Sequence, residues 1–306
     1  MRVALLAGGT GGAKLAAGMQ EPLGGDLSVI ANTGDDILVH GLHVSPDPDL
    51  ITYWLAGEID EERGWGIKGD SFTAHERLVE LGAPGWLKLT DRDLATCLYR
   101  THFVAEGGTL TAAQGQIARA LGVRAAVLPM CERAVHTRIR TPSGWLGLQE
   151  YLIVERSEPP IEGIEVEGLE HAVPSPEVRE ALAGADAVVI GPSNPVISIG
   201  PIISMPEMRE AIAAADAPVI AVSPLVAGRA VKGPTEKFIE AVRRPPTAAG
   251  VASLYEGLID AMVVDAGDPD PGPDGIRALS CPTLMEGAVG RRELAERVLE
   301  FARVLA

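Results

Sequence analysis

The amino-acid sequence predicts an α/β fold, a doubly wound and mostly parallel sheet with helices on both faces. Three observations carry that expectation. The chain opens on a short apolar run, residues 2–7, that passes straight into Gly8-Gly9-Thr10-Gly11-Gly12. A helical stretch (13–19) and a second apolar run (27–31) follow, and strand, glycine turn, helix, strand is how a parallel doubly wound sheet begins. Short apolar runs bounded by turn residues then recur at 125–130, 187–190, 218–222 and 261–264, separated by helical periodicity.

The remaining elements follow in order. Leu50, Ile51, Trp54 and Leu55 share one helical face, so a helix begins near Pro48, after a short extended piece at 37–44. Residues 65–72 form a glycine-broken loop and 73–81 a helix. Thr90 or Asp91 caps the next helix, and 111–121 is another. Residues 137–141 and 145–154 read as short extended runs, and 150–180 is glutamate-rich. A small antiparallel insertion at the sheet edge is therefore expected over about 131–170. Helices at 176–182, 206–215, 236–242 and 251–258 alternate with the later strands. An acidic turn (265–274) and a terminal helix (291–305) close the chain.

The chain has 306 residues, 46% of them apolar, enough for one large core or two small ones. With no internal repeat and no long linker, a single domain over 1–306 is expected. The formal charge of −16 argues against a general nucleic-acid or anionic-membrane binder, while leaving room for a small basic pocket. Cys97, Cys131 and Cys281 are scattered, which predicts free thiols in a reducing compartment and no zinc cluster. The first apolar run is too short for a signal peptide, and no run approaches the roughly 20 apolar residues of a membrane span. The cytoplasm is the expected location.

Five groups of residues carry candidate chemistry. Glycines at Gly8, Gly9, Gly11 and Gly12, with Thr10 between them and Lys14 just beyond, suit a backbone that brings amides against a phosphate. The spacing matches neither a P-loop nor a dinucleotide fingerprint, and a plain tight turn is the alternative. Asn32, Thr33, Gly34, Asp35 and Asp36, then Asp47 and Asp49, gather four carboxylates past the second strand. Close carboxylates repel unless a proton or cation relieves them, and magnesium takes one or two with substrate phosphates. Spacing does not single out one aspartate, and turn or capping duty is the alternative. Lys68 to Ser71 and Thr90 to Asp93, including Arg92, suit an anionic substrate or a surface ion-pair network equally. Ser193 and Asn194 follow a clear strand at the expected ligand edge, and Arg229 and Lys232 sit beside glycines after the next one. Of Trp54, Trp65 and Trp86, one suits stacking on a planar ligand, although core packing is the commoner use. His40 and His43 read as packing residues. No nucleophile elbow and no HExxH motif is present, so covalent catalysis is unsupported. Glycine turns, carboxylates and scattered cations suit direct transfer at phosphorus.

Taken together, LLAGGTGGAKL (5–15), ANTGDD (31–36), HGLHVSPDPD (40–49), GWGIKGDSF (64–72), TDRDLAT (90–96), GPSNPVISIGPI (191–202) and AVSPLVAGRAVKGP (221–234) resemble the 2-phospho-L-lactate transferase (CofD) family, which includes bacterial phosphoenolpyruvate transferases. The resemblance implies a Rossmann-like core, a homodimer and a magnesium-dependent step of coenzyme F-420 biosynthesis. In that step a phospholactyl or phosphoenolpyruvyl group passes from a guanosine diphosphate ester donor to the terminal ribityl hydroxyl of the deazaflavin Fo, and GMP leaves. Carried over by position, Gly8 to Gly12 lie near the donor diphosphate, with Lys14 and Lys232 also on the donor. Ser193 and Asn194 hold the guanosine nucleotide, Asp49 and Arg92 contact Fo, and Asp35 and Asp36 lie near magnesium. Asp36 or Asp49 is expected to orient or deprotonate the hydroxyl. Thr90, where relatives commonly carry glycine, and Cys131-Glu132-Arg133 depart from the family pattern.

Rival readings remain at this stage. They are a nucleotidyl or nucleotide-sugar transferase with another acceptor, an NAD(P)-dependent oxidoreductase, and a non-catalytic guanine-nucleotide-binding regulator. No residue distinguishes lactate from enolpyruvate in the donor.

Overall fold

The computed structural model describes residues 1–306. Its centre is a seven-stranded sheet in which every pairing is parallel. The strands are β1 (Val3–Ala7), β2 (Leu27–Ala31), β5 (Ala126–Pro129), β9 (Ala187–Ile190), β10 (Val219–Val222), β13 (Ala261–Asp265) and β14 (Arg277–Cys281). Their order across the sheet is β14-β13-β10-β9-β1-β2-β5. The chain winds outward from β1 in one direction through β2 and β5, then in the other through β9, β10, β13 and β14. The winding reverses between β1 and β9, and a crevice opens beyond the carboxyl ends of strands at such a reversal. Two smaller hairpins, β3 (Ile37–Val39) with β4 (Leu42–Val44) and β11 (Leu225–Val226) with β12 (Arg229–Ala230), project from that end.

Side chains alternate between the two faces, and each face carries its own core. Leu5, Val29, Val189, Val222 and Val263 pack beneath α1 (Gly9–Leu23), α2 (Pro46–Ala56) and α11 (Gly287–Leu305). Leu6, Ile30, Val188, Ile190 and Ala221 pack beneath α6 (Pro176–Ala183), α7 (Ile199–Ser204), α8 (Met208–Ala213), α9 (Thr235–Ala241) and α10 (Ala248–Ser253). Burial on both faces explains why β1, β9 and β10 read as continuous apolar runs. On the β5 side, α3 (Thr73–Glu80), α4 (Asp91–Ala105) and α5 (Leu110–Ala120) extend the helical layer. Past β5, the strands β6 (His136–Thr141), β7 (Gly144–Gly147) and β8 (Gly163–Glu167) form a separate antiparallel sheet in the order β7-β6-β8. No helix is long and apolar enough to cross a membrane.

The structure corrects three local expectations. First, α1 begins at Gly9 and not at residue 13, so the glycine loop is largely the first helical turn. The low helix propensity of glycine is outweighed by close packing. A Cβ on Gly11 would lie 2.0 Å from the Pro192 carbonyl oxygen, and one on Gly12 2.6 Å from Ser193 Oγ. Gly9 alone of these glycines has a left-handed backbone, with φ of 60°. Second, residues 150–154 are not extended; Glu150–Val154 is a π-helical turn anchored by fully buried Tyr151. Third, β14 escapes a periodicity reading because it is an edge strand with mostly exposed side chains.

Candidate functional site

Two cavities meet at the reversal of the sheet. The first, of about 440 Å³, is floored by Gly8, Gly9, Thr10 and Gly11 and walled by Pro192, Ser193, Asn194 and the segment 231–235. The second, of about 650 Å³, lies between α2, the loop around Gly64–Gly66 and the start of α4, and is lined by Asp49, Tyr53, Trp65, Trp86, Lys88 and Asp93. Thr10, Asp35, Asp47, Leu152 and Lys232 line both. A bridge of two acids, one base and a helix N-terminus therefore separates a polar chamber from an aromatic one.

The polar chamber follows from two chain segments that cross at the switch point. Gly8 caps α1 with no side-chain cap bond, and a helix leaves its first amides without intrahelical acceptors. The Gly8 amide donates to Ser193 Oγ at 3.2 Å and the Gly9 amide to Asp47 Oδ1 at 2.6 Å. Both bonds tie the helix start to its surroundings, and Thr10 and Gly11 face the cavity. Asn194 Oδ1 accepts from the amides of Val196 and Ile197, and its Nδ2 reaches Thr235 Oγ1 at 3.5 Å. Lys14 lies 5.6 Å from the Trp54 ring and donates to the Met285 carbonyl at 3.5 Å. Enclosure of the Lys232 ammonium, and then its proximity to Lys14, lower the Lys232 pKa. Two cations held close to each other form a focus for an anion.

The bridging acids show the opposite sign of crowding. Asn32 Nδ2 donates both to Asp35 Oδ1 at 2.8 Å and to Asp47 Oδ2 at 2.9 Å, so one amide holds the two carboxylates together. Gln149 Nε2 approaches Asp35 Oδ2 at 3.4 Å. Burial pushes the Asp47 carboxyl up to about 6, against the pull of Asn32 and Gly9. Burial and then the charge of Asp47 raise Asp35 well above its ordinary value. Hard oxygen donors crowded beside a phosphate-sized chamber fit a divalent cation that takes one or two carboxylates. Asp36 does not join them. Although adjacent to Asp35, it turns into the β3–β4 hairpin, where His43 Nε2 lies 2.6 Å away and Ser45 Oγ donates at 2.8 Å. It lines neither cavity.

The aromatic chamber has a buried ionic floor. Arg100, fully buried, pairs through Nη2 with Asp49 Oδ1 and Gln114 Oε1, and through Nη1 with the His43 carbonyl. Asp49 Oδ2 is buried without a partner. Tyr53 donates its hydroxyl to Asp93 Oδ1 at 2.9 Å, and burial with the nearby Asp49 charge raises Asp93 to about 7. Asp49, Asp93 and Cys97 bring ligand atoms within 4.8 Å of one another. They do not fit a metal, because Arg100 already supplies the positive charge and burial pushes the Cys97 thiol up.

The structure thus brings Gly8, Gly9, Thr10, Gly11, Lys14, Ser193, Asn194, Lys232, Asp35 and Asp49 to one double cavity. Gly12 lies behind the cavity floor as a packing contact. Arg92 is exposed, lines neither cavity, and uses its amide to bond Asp70 at 2.8 Å. Of the tryptophans, Trp54 is core, whereas Trp65 and Trp86 line the second chamber. Sequence reasoning did not single out Tyr53 or Arg100, and it took Asp93 only as part of the Thr90 to Asp93 group. Their signal was helical spacing, with Asp49 and Tyr53 one turn apart and Asp93, Cys97 and Arg100 on one face.

Comparison with known proteins gives concordant results. The family model described as 2-phospho-L-lactate transferase CofD matches residues 3–273. A protein of Methanopyrus kandleri named 2-phospho-L-lactate transferase is 39% identical, covering 100% of this chain and 99% of its own. One of Streptomyces griseus named phosphoenolpyruvate transferase is also 39% identical, over 99% and 98%. The crystal structure of a UPF0052 family member from Bacillus halodurans superposes with a TM-score of 0.64 at 17% identity, covering 97% of this chain and 98% of that one. At that identity the likeness speaks to the fold.

Proposed function

Because the chain belongs to the 2-phospho-L-lactate transferase CofD family, whose named relatives are transferases, we propose that it transfers a phospholactyl or phosphoenolpyruvyl group from a guanosine diphosphate ester to Fo, releasing GMP. The observation that carries this reading is the pair of cavities joined at Thr10, Asp35, Asp47 and Lys232. A two-substrate transfer needs two chambers that share one reacting point. The polar chamber suits the donor: helix amides and two lysines for the diphosphate, with Ser193 and Asn194 alongside for the nucleotide. The aromatic chamber suits a planar deazaflavin, with Trp65 and Trp86 in its walls.

In this reading the acceptor hydroxyl forms a bond to the phosphorus that carries the three-carbon acid. The bond from that phosphorus to the GMP oxygen breaks. Asp49, through its unpartnered Oδ2, accepts the hydroxyl hydrogen bond and takes the proton, while Arg100 holds the carboxylate in place. Thr10 and Gly11 amides and Lys232 receive charge on the phosphate oxygens. Asp35 and Asp47 would hold magnesium, which when bound neutralises phosphate charge and improves GMP as a leaving group. A homodimer is part of the same proposal, and equilibrium sedimentation reads it. The direct test incubates the purified protein with Fo, magnesium and each guanylated donor in turn, with the deazaflavin product followed by mass. A phosphorylated deazaflavin carrying lactate or enolpyruvate is expected, and no product with either donor overturns the reading.

A further inference from the structure

The two cavities share part of their lining. Gln149, Leu152 and Ile153 face the aromatic chamber, and Leu152 faces the polar one as well. These residues belong to or adjoin the π-helical turn Glu150–Val154, which is itself partly open: Ile153 is 40% exposed and Val154 47%. The chain leaves this turn through two consecutive left-handed residues that are not glycine, Arg156 and Ser157, with φ of 52° and 58°. A π turn and two such residues are unfavourable alone and persist only where their surroundings hold them.

The hold comes from α9. Lys237 places its ammonium against three successive carbonyls, those of Ser157, Glu158 at 3.1 Å and Pro159 at 2.7 Å. Each of the three ammonium hydrogens thus has a backbone acceptor. The same ammonium lies 5.6 Å from the centre of the Tyr151 ring. Tyr151 in turn donates its hydroxyl to Ser157 and Pro159 carbonyls at 3.3 and 2.8 Å, and packs edge-on against Phe238 at 6.0 Å. The segment just before α9, Lys232 to Pro234, lines the polar chamber together with Thr235. One short helix therefore carries a donor-chamber residue, Thr235, at its start and a clamp on the acceptor-chamber wall two residues later.

We propose that Lys237, with Tyr151, is a positioning residue that straps the 150–159 segment and so sets the acceptor chamber's shape, and hence affinity for the acceptor, without touching either substrate. This rests on the two-chamber reading above. The donor chamber draws only Leu152 from the segment, so donor affinity is expected to respond less. Full-length Lys237→Met, which keeps the aliphatic stem and removes the three donors, and Tyr151→Phe, which removes the hydroxyl bonds, are compared with the wild type. KM for Fo, KM for the guanylated donor, kcat and amide exchange over 150–160 are measured for each. The expected result is a KM for Fo raised about tenfold, with kcat and donor KM within about twofold and exchange over 150–160 at least about tenfold faster. In active protein, an unchanged KM for Fo in both variants overturns the proposal, as does an equal rise in both KM values. A wild type that turns over neither donor defeats the functional reading instead, and exchange alone then decides the strap. Unchanged protection over 150–160 in both variants overturns it, and faster exchange confined to that segment upholds it.

Discussion

Replacing Asp47 by asparagine should lower activity sharply while leaving the chelator-treated protein at least as stable at neutral pH. Asp47 holds the Gly9 amide through Oδ1 and the Asn32 amide through Oδ2. An asparagine keeps one acceptor and turns an NH₂ group toward the other donor, losing one charge-assisted bond worth about 1.5–3 kcal/mol. Against that stands relief of a buried charge. The Asp47 carboxyl titrates near 6 in place of 3.8, which costs the folded state about 3 kcal/mol above pH 6. The folded protein binds more protons here than the unfolded chain, so stability falls as pH rises from 3.8 to about 6. The rise to about 6 is already net of the pull of Asn32 and Gly9, so at pH 7.5 the variant should melt no lower than the wild type. Activity has no such compensation, because the charge proposed to face cation and phosphate is gone, and a loss of about 10²–10³ in kcat is expected. The assay is turnover at saturating donor and Fo across a magnesium titration, beside thermal melts at pH 4, 6 and 7.5 in chelator. Magnesium should stabilise the wild type and not the variant. A variant with kcat and magnesium dependence within about twofold of the wild type would refute the assignment of Asp47 to the reacting point.

Three further outcomes follow from the same geometry. Gly11→Ala puts a methyl 2.0 Å from the Pro192 carbonyl oxygen, so it should cost about 1–3 kcal/mol by urea unfolding and weaken GDP binding by calorimetry. Arg100→Met leaves Asp49 buried without its counter-charge and should cost about 3–5 kcal/mol by urea unfolding, with loss of Fo turnover. Arg92→Ala, at an exposed position outside both cavities, should leave KM for Fo within about twofold, since surface substitutions rarely act beyond about 0.5 kcal/mol.

Much of the fold was legible because burial was extreme. β1 and β9 lie in the middle of the sheet, and strands buried on both faces must be apolar throughout. Legibility ended where tertiary contacts overruled local preference. Four glycines read as a loop, yet only Gly9 needs its left-handed backbone, and Gly11 and Gly12 lie in the helix as glycines because Pro192 and Ser193 leave no room for a side chain. Tyr151-Leu152-Ile153-Val154 has the composition of a strand, and burial of Tyr151 with the Lys237 clamp winds it into a π turn instead.

The site divides in the same way. The glycine turn, Ser193 and Asn194 were visible because each follows a strand that ends at the sheet reversal. Asp35 and Asp36 were not separable by sequence, since neighbouring residues in one turn point to different places and only the hairpin partners His43 and Ser45 decide that Asp36 faces away. Asp47 acquires its position from Asn32 and Gly9, residues 15 and 38 places earlier.

The measurement that bears most directly on transfer between the two chambers is the stoichiometry of GMP release, with and without Fo, in the presence of magnesium and the guanylated donors. A direct transfer gives one GMP for each deazaflavin product and negligible GMP when Fo is omitted. GMP released at the same rate without Fo, or no GMP with either donor, would contradict it.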